Sequence, residues 1–156
     1  MSDEIENHIK IIKDRFFNEL WNERKFETAE DIFTDDFITE AISLEPGNWI
    51  SLHGKGPGSM KHHIKWWLEI IPDAEMNVID IAANRNIVMT NWELQGTIRG
   101  EIFGVRPKNQ EVHIFGCTVS IFEGHKINLN KTMFDQLGFF QQINVLPSTE
   151  RILKQE

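Results

Sequence analysis

Four strand-length segments follow one another between Glu75 and Phe134 with only short turns between them, and this run limits the fold more than any other feature of the chain. Glu75–Ala82, Ile87–Glu101, Glu111–Phe122 and Lys126–Phe134 are rich in β-branched and aromatic residues. Asn84-Arg85-Asn86, Pro107-Lys108-Asn109 and Glu123-Gly124-His125 separate them. Hairpin connections of this kind predict an antiparallel meander, and one face of such a sheet needs a cover. The first half of the chain supplies it. Ile5, Ile9, Ile12, Phe16 and Leu20 recur at helical spacing and predict a helix over about 4–22. Thr28 is placed to cap a short helix ending near Phe33. Met60, Ile64, Trp67, Leu68 and Ile71 line a third helix that Pro72 stops. Residues 37–44 and 48–53 read as short strands around Glu45-Pro46-Gly47, and Gly54–Gly58 as a mobile connection without the spacing of a phosphate loop. Helices first and a meander last predict an α+β domain whose curved antiparallel sheet wraps around the N-terminal helices.

The chain has 156 residues, enough for one domain with a real core, and its 40% hydrophobic content rules out intrinsic disorder. The domain is expected to span 1–156, with its core over about 5–145 and a tail over 146–156. Twenty-four acidic against 16 basic residues give a net charge of −8, which excludes the basic field that nucleic acid requires. The charged N-terminus and the lack of a long apolar run predict a cytoplasmic protein with no membrane partner. The single cysteine, Cys117, cannot form an internal disulfide, and no thiol or histidine motif for a metal is present.

Specific residues sharpen the fold. Pro72-Asp73, Trp92-x-Leu94-x-Gly96-Thr97, Gly100-Glu101-x-Phe103-Gly104-Val105-x-Pro107 and Phe134-Asp135-Gln136-Leu137-Gly138 with Gln141-Gln142 resemble the SnoaL-like polyketide cyclases of the nuclear transport factor 2-like superfamily. The resemblance implies a cone-shaped α+β barrel with an interior pocket, no metal or cofactor, and a homodimer built on the outer sheet face. It also implies an aspartate on the last strand, helped by a histidine on the strand before, that moves a proton for an intramolecular aldol closure. In this chain the aspartate position holds Thr132, the histidine position falls on Cys117 or Ser120, and a further histidine position is Glu40. Arg99-Gly100-Glu101 stands where the related limonene-type epoxide hydrolases carry an Arg-x-Asp pair.

The candidates for chemistry are His113, Glu40 and Glu101. His113 shares strand parity with Phe115, Cys117, Val119 and Ile121, and is expected to point into the cone as an acid or base, or else to be a structural histidine. Glu40 and Glu101 either replace the missing aspartate or are surface glutamates, with Arg99 or Arg106 as rim partners. Asp135 reads as a helix cap. On the last strand Asn128, Asn130, Thr132 and Phe134 share one face and Ile127, Leu129, Lys131 and Met133 the other, the first set lining the pocket if it faces inward. Trp67, Trp92, Phe37, Phe115 and Phe134 are candidate walls for a flat or polycyclic hydrophobic ligand, with Arg99, Asn130 and Thr132 as its polar contacts. His62 and His63 diverge by ~100° on their helix and do not read as a metal site. Cys117 reads as a small core residue. The functional expectation is a cofactor-independent cyclase or isomerase acting on a polyketide-like or terpenoid ligand. A non-catalytic binder of the same fold and a hydrolase acting through Arg99 and Glu101 are the alternatives.

Overall fold

The computed structural model describes residues 2–43 and 47–155. The expected turn at Glu45-Pro46 falls outside the described residues. The first helix is one continuous rod wound in two ways: α1, Asp3–Lys10, capped by Ser2, and a π-helical segment, Ile11–Asn22. Bonds from i to i+5 widen the turn, and Phe16, Phe17, Leu20 and Trp21 are all buried in this segment. Helix α2 (Thr28–Ile32) follows; its Thr28 lies inside the helix, where the hydroxyl donates to Glu19 at 3.0 Å and caps nothing. Helix α3 (Pro57–Ile70) starts on proline, whose missing N–H costs nothing at a helix N-terminus.

The strands are β1 (Phe33–Ile42), β2 (Trp49–Leu52), β3 (Glu75–Asn84), β4 (Ile87–Ile98), β5 (Gln110–Glu123) and β6 (Lys126–Phe134). They form one sheet in the order β2-β1-β6-β5-β4-β3. The meander is present, but the sheet is mixed and open, neither wholly antiparallel nor a closed barrel: β1 lies parallel to β6. A tight turn can dictate only the pairing of consecutive strands. β1 and β6 are far apart in sequence, so packing alone decides their direction. Helices α4 (Gln136–Gln142) and α5 (Thr149–Lys154) close the chain. Asp135 caps α4, its carboxylate accepting from Gly138 N at 2.8 Å, as the spacing predicted.

The helices cover one face of the sheet and share a core with it that includes Ile12, Phe33, Phe37, Ile64, Ile71, Ile98 and Ile127. Phe37, a candidate pocket wall, is instead fully buried core, its ring tilted against that of Phe33 with centroids 4.1 Å apart. Ile127 also faces inward, against the expected parity. The β5–β6 register slips between Ile121 and Phe122, a bulge at Asn128 that moves the neighbouring side chain to the other face. Asn128 serves the bulge itself, donating to Thr34 Oγ1 and Asp36 Oδ1 at 3.0 Å each. No helix among the described residues is long and apolar enough to cross a membrane.

Candidate functional site

A cavity of about 420 Å³ lies between the helices and the inner sheet face. The π-helical segment contributes Phe16, Phe17 and Trp21, and α3 contributes Met60, His63, Trp66 and Trp67. The sheet supplies Thr39, Trp92, Leu94, Ile114, Thr118, Asn130, Thr132 and Phe134. Phe139 and Phe140 of α4 and Phe103 of a tight turn complete the wall. Trp67 meets Phe134 edge-on at 5.8 Å and Phe139 at 5.9 Å, so the aromatics support one another around the space. Phe103 is 61% exposed and reaches Trp66 at 6.0 Å, which sets it at the cavity's edge.

Of the residues singled out from sequence, Trp67, Trp92, Asn130, Thr132 and Phe134 line this cavity together. His113, Glu40, Glu101 and Arg99 do not. On β5 the buried positions are Val112, Ile114, Gly116, Thr118, Ser120 and Phe122, so His113, Phe115 and Cys117 face outward. The expected inward orientation of His113 is therefore wrong by one residue of parity, and Cys117 is an exposed thiol, not a core residue. His113 Nε2 lies 2.5 Å from Glu93 Oε2 on the outer face. Thr39 and Ala41 line the cavity, so alternation turns Glu40 between them the other way. Glu101 and Arg99 are exposed beyond the end of β4. Carboxylate-driven proton abstraction and the Arg–acid hydrolase arrangement both lose their place in the cavity.

The wall also carries polar side chains, among them Thr39, Ser43, His53 and Gln136. Trp92 Nε1 donates to Thr118 Oγ1 at 2.9 Å, and Thr118 Oγ1 lies 2.9 Å from Thr132 Oγ1. Gly116 makes this possible: it sits opposite Trp92, and a Cβ there would come within 2.3 Å of the indole. Both amide atoms of Asn130 are sealed in the wall without a hydrogen-bond partner, as is Nδ1 of His63.

His53 and His63 are site residues that the sequence reading missed. The His53 ring stands 4.6 Å from that of His62 and 5.3 Å from that of His63, which meets Trp21 edge-on. Burial, and then the imidazoles of His53 and His62, push His63 down to about 3, so it is a neutral imidazole at ordinary pH. Burial, followed by His62, also lowers His53. The signal for His63 was present in the sequence: positions 60, 63, 64 and 67 fall on one helical face. Among the described residues no group of three or more His, Cys, Asp or Glu side chains could hold a metal ion.

A family profile described as SnoaL-like polyketide cyclase matches residues 12–143. No curated protein matches the chain in sequence. Solved structures share the fold. A protein assigned as a SnoaL-like polyketide cyclase from Jannaschia sp. CCS1 superposes with a TM-score of 0.79 at 18% identity, over 94% of this chain and 98% of that one. One assigned as a polyketide cyclase from Acidithiobacillus ferrooxidans gives 0.75 at 21% identity, over 93% and 99%. An LEH-like epoxide hydrolase from M. tuberculosis gives 0.65 at 17% identity, over 92% and 89%.

Proposed function

Because the chain belongs to the SnoaL-like polyketide cyclase family, we propose that it takes up an uncharged, largely apolar small molecule of polyketide-like or terpenoid character in the cavity between helices and sheet. One observation carries this reading: among the described residues, no Asp, Glu, Lys or Arg side chain lines the cavity. An ion entering it would shed its hydration without meeting a counter-charge, which is strongly unfavourable. The aromatic walls suit a flat or fused-ring body. Asn130 supports orientation of a polar group, since its amide is unpartnered and the terminal torsion of asparagine is soft enough to turn it toward a ligand.

A second reading, a cofactor-independent cyclase or isomerase, draws support from His53 and His63, two imidazoles in a wall that has no carboxylate among the described residues. Quenching of the cavity tryptophans by anthracene and by anthracene-9-carboxylate tests the first reading. The neutral probe is expected to bind at least about a hundredfold tighter, and equal binding would overturn the proposal. For the second reading, His63→Gln should abolish turnover of a poly-β-ketone while leaving affinity for anthracene within a few-fold.

The outer sheet face supports a homodimer. Met89, Phe115 and Met133 are 54%, 45% and 51% exposed there, and Cys117 lies between Asn91 and Met133 in the register. Apolar side chains of this kind, on a face that none of the described elements covers, favour burial against a second copy.

A further inference from the structure

We infer that Trp92, Thr118 and Thr132 form a one-way hydrogen-bond relay whose last hydroxyl proton, on Thr132, is presented to a carbonyl oxygen of the bound molecule. The inference rests on the cavity being a small-molecule site and adds the functional group that the site selects.

The direction follows from counting donors. An indole N–H can only donate, so Trp92 Nε1 fixes Thr118 Oγ1 as its acceptor at 2.9 Å. Thr118 has its own proton to place, and its side chain is buried at 4% exposure. Thr132 Oγ1, at 2.9 Å, is the acceptor within reach. The reverse arrangement, with Thr132 donating, would give Thr118 two donors and leave the free proton on the more deeply buried of the two hydroxyls, at 4% exposure, instead of on the half-buried Thr132. The proton of Thr132 is therefore the one left over, on a residue that lines the cavity and keeps accessible surface. The chain crosses three adjacent strands, β4, β5 and β6, so the sheet holds its geometry. Each donor polarises the next, which makes the terminal hydroxyl a better donor than a lone threonine. In a wall without charged groups among the described residues, it is matched by a neutral acceptor such as a ketone or quinone oxygen.

The test uses two probes of the same fused-ring shape: 9-fluorenone, which carries a carbonyl, and fluorene, which has a methylene in its place. Affinities come from tryptophan quenching, and the carbonyl stretch of bound fluorenone from infrared difference spectra. In the native protein the stretch is expected to be red-shifted relative to fluorenone in an alkane. Thr132→Val should remove that shift and lower the fluorenone-to-fluorene affinity ratio by about three- to tenfold, one neutral hydrogen bond's worth. Thr132→Ser should keep both, and Trp92→Phe should reduce the shift part of the way. If both probes bind and Thr132→Val leaves stretch and ratio unchanged, the relay is wrong and the small-molecule reading stands. If neither probe binds the native protein, the small-molecule reading fails and takes the relay with it.

Discussion

The side-chain amide of Gln142 pairs with both backbone groups of His113, accepting from its N–H at 2.7 Å and donating to its carbonyl at 2.8 Å. β6 runs beside β5 only from Gly116 onward, so without this amide the start of β5 would show an open edge. Asn22 does the same for the edge strand β3, exchanging two 2.8 Å bonds with the backbone of Met76. Each amide replaces one residue of a missing neighbour strand and docks a helix against the cavity-forming sheet.

Removing either clamp should loosen the domain. Gln142→Ala is expected to cost about 1–3 kcal/mol, because two backbone groups lose their partner. At this chain length that is a fall in Tm of several degrees. Thermal melting of the variant checks this, and an unchanged Tm would show that the amide contributes nothing.

Gly116→Val should push Trp92 off its seat, since even a Cβ would overlap the indole. The expected result is destabilisation of about 1–3 kcal/mol from overpacking, together with loss of the Trp92–Thr118 bond. Indole N–H resonances in an NMR spectrum report on that bond, and a native-like Trp92 signal would contradict the account.

His63 should make stability fall on the acid side. Its folded pKa, about 3, lies below the ordinary histidine value of 6.5. Above 6.5 both folded and unfolded forms are neutral and the residue contributes no slope. As the pH falls from 6.5 toward 3 the unfolded chain takes up the proton first, and stability drops by up to about 1.4 kcal/mol per pH unit. His53, also lowered, acts in the same direction. Aspartate and glutamate carboxylates with lowered pKa values, such as Asp73 and Glu19, act below the ordinary values of 3.8 and 4.5. Denaturant melts between pH 7 and 5 therefore isolate the histidines. His63→Phe should flatten the slope, and a variant with the native slope would refute the assignment.

The outer face predicts its own variant. Met133→Glu puts a charge in the centre of the exposed apolar surface and should convert a dimer to a monomer in sedimentation velocity at micromolar concentration. A native protein that already sediments as a monomer would remove the dimer.

Arg99→Ala, Glu101→Gln and His113→Ala should each leave affinity for anthracene unchanged within about twofold, because none of these side chains lines the cavity. A tenfold loss in any of them, measured by quenching, would show that the site extends to the rim or the outer face.

Local patterns in the chain marked where most of the elements lie. Tight turns required the β3–β4 and β5–β6 hairpins, helical spacing marked the face of α3, and Asp135 three residues before Gly138 announced the cap of α4, while the eleven-residue connection from Ile98 to Gln110 replaced the expected end of β4 at Glu101. Trp67, Trp92, Asn130, Thr132 and Phe134 were legible as cavity residues because their strands and helix had to face a common interior. The orientation of β5 was not legible. Alternation reveals the buried face only when the other face is polar, and here Phe115, Cys117, Val119 and Ile121 outside are as apolar as Val112, Ile114 and Phe122 inside. Tertiary packing chose between them, and with that choice moved His113 out of the cavity and Thr118 into it. It also made the parallel β1–β6 pair, the bulge that turns Ile127 inward, and the meeting of His53 with His63. The β1–β6 pair joins segments distant in sequence, the bulge and the histidine contact depend on how neighbouring segments pack, and no local spacing encodes either.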